Sequence, residues 1–323
     1  MRVLILGSLG QDGKYLTELH LRAGDEVIGV ARNIPMNFQL ESSLSSTTYL
    51  NFDARNFNEL YEVIKKYEPK VIYNLASASS VKESYDFPEV SESVNVGIIK
   101  NVLEILRIRQ LENRNPIRLF HASSSEMFGS SKGLPLNRNS EFNPHSPYAL
   151  HKTIAHKLVL DYRERFNLHL STGILFNHES IRRKTKFVSR KISNAAHLIS
   201  QGKLSHLKLG NIEITRDWGY AGDFVEAIKL IPSREIPGDF IVATGQLHSL
   251  REMCQIAFQT AGLGSYEEYV LVDDSLLRPQ DTNALFGDID ETSRELGWKP
   301  KTPFESWVSE MVKLENDPSI GNI

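Results

Sequence analysis

The chain has 323 residues, 41% hydrophobic and 24% charged, with a formal net charge of −3. These values suit a globular protein of one large or two moderate domains and argue against a general nucleic-acid binder. The single cysteine excludes an internal disulfide and a zinc-ligand set, and no apolar run approaches the ~20 residues that span a bilayer.

In chain order, Val3-Leu4-Ile5-Leu6 is a short, wholly apolar run, the pattern of a strand covered on both faces. It is too short for the apolar core of a signal peptide, so a cytoplasmic location is expected. Gly7-Ser8-Leu9-Gly10-Gln11-Asp12-Gly13 follows it and opens an amphipathic helix, Tyr15-Leu16-x-x-Leu19-x-Leu21. A glycine loop between a strand and a helix lets the backbone approach a pyrophosphate, whose charge the helix N-terminus favours. The plain alternative is a strand–helix turn; the position in the first βαβ unit weighs against it. Strand 26–30 ends near Arg32. An acidic residue there would bind the ribose hydroxyls of NAD, whereas an arginine suits the 2′-phosphate of NADP, unless it is only a solvated charge. Asp53, after a strand at 49–52, suits the adenine amino group or a helix cap.

A helix at 57–67, a strand at 71–75, a long helix at 90–108 and a strand at 117–120 continue the alternation. Such alternation predicts an α/β fold with a Rossmann-type, doubly wound parallel sheet. Ser123-Ser124-Ser125-Glu126 follows the fifth strand and faces the crevice. One loop later, Pro147 and the cap candidate Ser146 start a helix at 148–166 that carries Tyr148 and Lys152. Spaced i, i+4, these two share a helix face, and an ammonium beside a phenol favours phenolate, hence a base. A tyrosine and lysine at this spacing are common by chance; on the helix after the fifth strand of a dinucleotide fold they are not.

From Asn177 onward the pattern loosens into helices at 187–202, 222–231, 249–262 and 304–315 with short strands such as 240–243. Residues 1–176 therefore read as a dinucleotide-binding domain and 177–323 as a smaller α/β substrate-binding domain, with some later segments returning to the first sheet. Cys254 falls in an apolar helical run and reads as a buried structural thiol. His178 has no second histidine at i+4, so no metal site is expected. Asn177, Arg190, Lys191, Arg216 and Arg278 are scattered polar or basic residues; arginines can clamp a diphosphate, although each alone reads as a surface charge.

Together these residues resemble the extended short-chain dehydrogenase/reductase family, and within it the GDP-mannose 4,6-dehydratase branch. The specific stretches are Gly10-Gln11-Asp12-Gly13, Asn177-His178-Glu179-Ser180 and Arg216-Asp217-Trp218-Gly219; Asn74-Leu75-Ala76, Ser123 to Gly129 and residues 187–192 add to them. The resemblance implies C4 oxidation of a GDP-hexose, elimination of water across C5 and C6, and return of the hydride to C6. It makes Tyr148 the base at the 4-hydroxyl, Glu126 the acid–base group for elimination, Ser124 a catalytic hydroxyl, and Lys152 a catalytic residue that also holds the nicotinamide ribose. NADP, with NAD possible, would be held by Gly7, Gly10, Gln11, Asp12, Gly13, Arg32, Asp53, Leu75, Tyr148 and Lys152. Asn177, Val188, Lys191, Arg216 and Arg278 would line the nucleotide-sugar site, and a homodimer or homotetramer is implied. The chain departs from the family at Arg32-Asn33, where a pair of arginines is usual, and at Ala78 and Ser80, where a glutamine and a histidine are usual. A GDP-heptose dehydratase, or a related epimerase, reductase or decarboxylase, is the alternative within enzymes; a non-catalytic dinucleotide sensor is the alternative outside them.

Overall fold

The computed structural model of the chain describes residues 1–32, 34, 44–129, 135–276 and 284–317. Six strands of the first half form a parallel sheet: β1 (Arg2–Leu6), β2 (Glu26–Ala31), β3 (Thr48–Asn51), β4 (Val71–Asn74), β5 (Arg118–Ser124) and β6 (Leu170–Leu175). From the second half, β10 (Asp239–Val242) adds to it in parallel beside β6, and the order is β10-β6-β5-β4-β1-β2-β3. The direction of winding reverses between β1 and β4, and ligands of such sheets bind outside the carboxyl ends at that point.

Alternation along β1 sends Val3 and Ile5 to one face and Leu4 and Leu6 to the other. The first pair joins a core closed by α1 (Gln11–Arg22) and α8 (Ala221–Leu230); the second faces α2 (Phe57–Tyr67), α5 (Gly97–Leu111) and α6 (Pro147–Phe166). Two short helices, α3 (Val81–Asp86) and α4 (Pro88–Asn95), lie against α6. The helix expected at 90–108 is thus divided at Val96, directly before Gly97, a residue that weakens a helix and favours a break. The sixth strand is absent from the pattern reading because Ser171, Thr172 and Gly173 interrupt its apolar run, although all three are buried.

The second half builds a smaller sheet from β7 (Asn177–Glu179), β9 (Thr215–Tyr220), β11 (Leu247–Ser249) and β13 (Ala284–Leu285), and a pair from β8 (Leu207–Leu209) and β12 (Val270–Val272). Its core lies among α7 (Val188–Ser200), α9 (Leu250–Thr260) and α11 (Phe304–Lys313), while α10 (Asp290–Leu296) packs near β10. Cys254 is fully enclosed in this core, and burial pushes its thiol up to about 12. That agrees with a structural thiol rather than a nucleophile. Among the described residues no helix is long and apolar enough to cross a membrane.

Candidate active site

The glycine loop is built by steric exclusion. Gly7 has φ +85°, and a Cβ there would meet the Ala76 backbone nitrogen at 2.9 Å. A Cβ on Gly13 would lie 2.4 Å from the Gly7 carbonyl oxygen. These contacts press α1 against the ends of β1 and β4, next to Leu75, whose N–H donates to Leu6 O. Gln11, Asp12 and Gly13 form the first turn of α1, where a helix leaves its N–H groups without intrahelical partners. Their side chains are used elsewhere: Gln11 Nε2 donates to His178 O at 3.0 Å, and Asp12 Oδ2 lies 2.9 Å from His178 Nε2.

At the ends of β4 and β5 the candidate catalytic residues converge. Ser146 caps α6 by accepting from Ala149 N, and Tyr148 N donates to Ser84 Oγ at 3.1 Å. Tyr148 is 8% exposed. Burial raises its phenol above the usual value, and hydrogen bonds with Ser124 and Ser77 work in the opposite direction, while the Glu126 charge adds to the rise. Ser124 is the last residue of β5, and its Oγ accepts from Glu126 N at 3.3 Å across a 3-10 turn, Ser125–Phe128. One hydroxyl therefore links the phenol to the turn that carries the carboxylate. Lys152 is 3% exposed, its Nζ donates to Ala122 O at 2.6 Å, and burial lowers its ammonium to about 8. The largest influences on Tyr148 are burial, the Ser124 hydrogen bond and the Glu126 charge, followed by Arg183 and Ser77.

Beyond β2 and β3, Arg32, Asn51, Phe52, Asp53, Arg55 and Glu59 line an open cleft of about 460 Å3. Asp53 lies between two guanidinium groups, 2.6 Å from Arg55 Nη2 and 3.7 Å from Arg32 Nη1, which hold its carboxyl below the usual range, Arg55 most strongly. On the other side of the crevice, Asn177 starts β7, Val188 and Lys191 occupy the first turns of α7, and Arg216 lies buried on β9 opposite His248 and Leu285. Lys191 Nζ donates to Lys208 O, and burial with Lys82 nearby lowers its ammonium. Arg190 turns away from this group and pairs with Glu315. Arg278 and Asn33 lie outside the described residues.

Three residues were not singled out from sequence. Ser77, which follows Asn74-Leu75-Ala76 and bonds the phenol, carries a legible signal: a hydroxyl just past the fourth strand's end. Arg55 has none, because an arginine two residues after Asp53 looks like any solvated charge. Asn95 accepts from Ser77 Oγ at 2.8 Å and from Ala78 N at 3.2 Å, and so holds the β4 loop from α4.

The family model for GDP-mannose 4,6 dehydratase matches residues 4–311. GDP-mannose 4,6 dehydratase 1 of Arabidopsis thaliana is 39% identical, covering 96% of this chain and 88% of its own; the Homo sapiens GDP-mannose 4,6 dehydratase is 35% identical, covering 97% and 90%. In fold, the chain resembles the Thermus thermophilus UDP-glucose 4-epimerase solved with NAD, with a TM-score of 0.84, 22% identity and coverage of 98% and 99%. With the paired motifs, the parallel sheet and a family match over nearly its whole length, the chain belongs to the GDP-mannose 4,6-dehydratase family.

Proposed function

We propose that the protein is a hydro-lyase that converts GDP-mannose into GDP-4-keto-6-deoxymannose. The observation that carries this reading is the placement of Glu126 in the turn whose Ser124 hydroxyl bonds the Tyr148 phenol. A carboxylate there supplies an acid–base group that simple oxidation at C4 does not need. When bound, NADP supplies the oxidant at C4 and returns the reducing equivalents at C6. Tyr148 takes the 4-hydroxyl proton, with Ser124 and Ser77 holding the phenol. The 4-ketone acidifies C5; Glu126 removes that proton and delivers one to the departing 6-hydroxyl, which leaves as water. Lys152 would hold the nicotinamide ribose. Asn177, Lys191, Arg216 and Arg278 hold the diphosphate and sugar, with Val188 near the base; for Arg278 this rests on the resemblance alone.

The loop suits a dinucleotide: Gly7 and Gly13 leave no room for a side chain, and the first turn of α1 presents N–H donors. Gly7, Gly10, Gln11, Asp12 and Gly13 would act through backbone, Leu75 by close approach, Asp53 at the adenosine. Arg32, with Arg55 standing in for the family's second arginine, favours NADP over NAD. A homodimer is proposed through the exposed apolar residues of α3, α4 and α6.

The test is incubation with GDP-mannose followed by mass spectrometry. Loss of one water is expected, and a Glu126→Gln variant should lose it while still binding substrate. An unchanged mass, or an epimer, contradicts the reading. A second reading, GDP-heptose as substrate, is favoured by Ala78. This small residue directly follows Ser77 at the reacting centre, while the Ser80 side chain is used to cap α3. The ratio of kcat/KM for the two sugars decides between them.

A further inference from the structure

The motifs Gly10-Gln11-Asp12-Gly13 and Asn177-His178-Glu179-Ser180, far apart in sequence, meet in one seam. His178 Nδ1 lies 2.7 Å from the Phe176 carbonyl oxygen and Nε2 lies 2.9 Å from Asp12 Oδ2. Neither partner can donate to the ring: one is a carbonyl, and the other is a carboxylate held below its usual range, with His178 the largest influence in that direction. Two acceptors facing the two ring nitrogens favour a proton on each, so the seam favours His178 as an imidazolium. Burial opposes that charge, but Asp12 outweighs it and raises the ring above the ordinary histidine value. From α1 the ring faces Asp12; from the segment after β7, the Arg183 charge acts against the proton; from α8 it stacks on the uncharged Phe224, 4.8 Å away at 19°. Gln11 completes the seam, donating to His178 O and accepting from Ser180 Oγ at 2.9 Å.

Asp12 presents a difficulty that the seam resolves. It is the second residue of α1, the helix whose N-terminus receives the pyrophosphate. A helix N-terminus carries about half a positive charge, and a full negative charge in its first turn would overturn that field. We propose that His178 is a positioning residue for the dinucleotide: its cation neutralises and immobilises Asp12 beside the pyrophosphate cradle, and so ties the strand carrying Asn177 to the cofactor loop. This rests on the reading that the glycine loop binds NADP or NAD.

The experiment measures dissociation constants of NADPH and NADH by fluorescence, between pH 6 and 9, for the full chain and for His178→Asn, Asp12→Asn and the double variant. The result expected for His178→Asn is weakening of both dinucleotides by about tenfold or more, and the double variant should recover most of it. Wild-type affinity should fall on the alkaline side of the pH range, Lys152 contributing part of that fall, and Asp12→Asn should make the fall smaller. Unchanged affinity in His178→Asn, or a double variant as weak as the single one, overturns the proposal. Should His178→Asn fail to fold, the pH profile of Asp12→Asn, taken relative to its own affinity at pH 6, decides: an alkaline fall smaller than that of wild type supports the proposal, and an equal fall overturns it. Wild-type protein that binds neither dinucleotide sinks the cofactor reading itself, a result distinct from any variant difference.

Discussion

Tyr148 and Lys152 reach their states by the same cause acting on opposite charges. Burial disfavours both phenolate and ammonium, so the phenol rises and the lysine falls to about 8. Replacing Tyr148 by Phe removes the proposed proton acceptor at the 4-hydroxyl and should lower kcat by about a hundredfold or more, with KM little changed. Lys152 carries a stability consequence. Its folded-state value lies below the usual 10.5, so between the two the unfolded chain holds the extra proton, and wild-type stability rises with pH across that window. A Lys152→Met variant should be more stable than wild type below pH 8, by roughly 1–3 kcal/mol, with the gap closing toward pH 10.5. Denaturant melts at a series of pH values measure it; a gap independent of pH contradicts it. At this scale the sequence was legible where a residue type is rare in its position, as with Tyr148, Lys152 and Glu126 beside a strand end. Ser77 and Arg55 were harder to see, since a serine or a surface arginine gains its role only from what the fold sets beside it.

Helices and strands in this chain are fixed by close approach at one end of the molecule and by charge at the other. Gly13 lets α1 press against the end of β1; a Gly13→Ala methyl would have to displace the Gly7 backbone. That variant should lose dinucleotide affinity by more than tenfold while keeping its circular dichroism spectrum, and retained affinity would show that the loop tolerates a shift. At the far end, Glu315 is a fully enclosed side chain that accepts from Arg190 Nε and Nη2 at 2.9 Å each, from Ser193 Oγ at 2.6 Å and from Asn194 Nδ2 at 3.0 Å. Glu315→Ala leaves the Arg190 charge buried without its partner and should cost about 3 kcal/mol, read as a lower denaturation midpoint. Element boundaries followed hydrophobic period closely at β1, α2 and α6. They failed at β6, where buried Ser171, Thr172 and Gly173 hide the strand, and at Val96, where one apolar stripe covers two helices.

Across the whole molecule, α6 has two working faces. Tyr148 and Lys152 point inward, while Leu150 and Ile154, 48% and 37% exposed, point outward. Tyr85, Phe87 and Val90 on the adjoining α3–α4 segment extend this apolar face. Apolar groups gathered in this way suit a second copy of the chain, and packing there would brace the helix that carries Tyr148 and Lys152 from behind. Light scattering should give twice the chain mass, and a Leu150→Glu, Ile154→Lys variant should give the monomer with reduced activity; a wild-type monomer contradicts it. The parallel sheet was legible from alternation and motif order. Adding β10 to the first sheet was less so, because strand pairing over such a separation leaves no local pattern.

The central claim is that one protein oxidises C4, eliminates water across C5 and C6, and returns the same hydrogen to C6. Conversion of GDP-mannose deuterated at C4, followed by mass spectrometry and NMR, tests it most directly. The account predicts a 4-keto-6-deoxy product lighter by one water with the deuterium now at C6. Deuterium lost to solvent, or retained at C4 in a product that has lost no water, would contradict it.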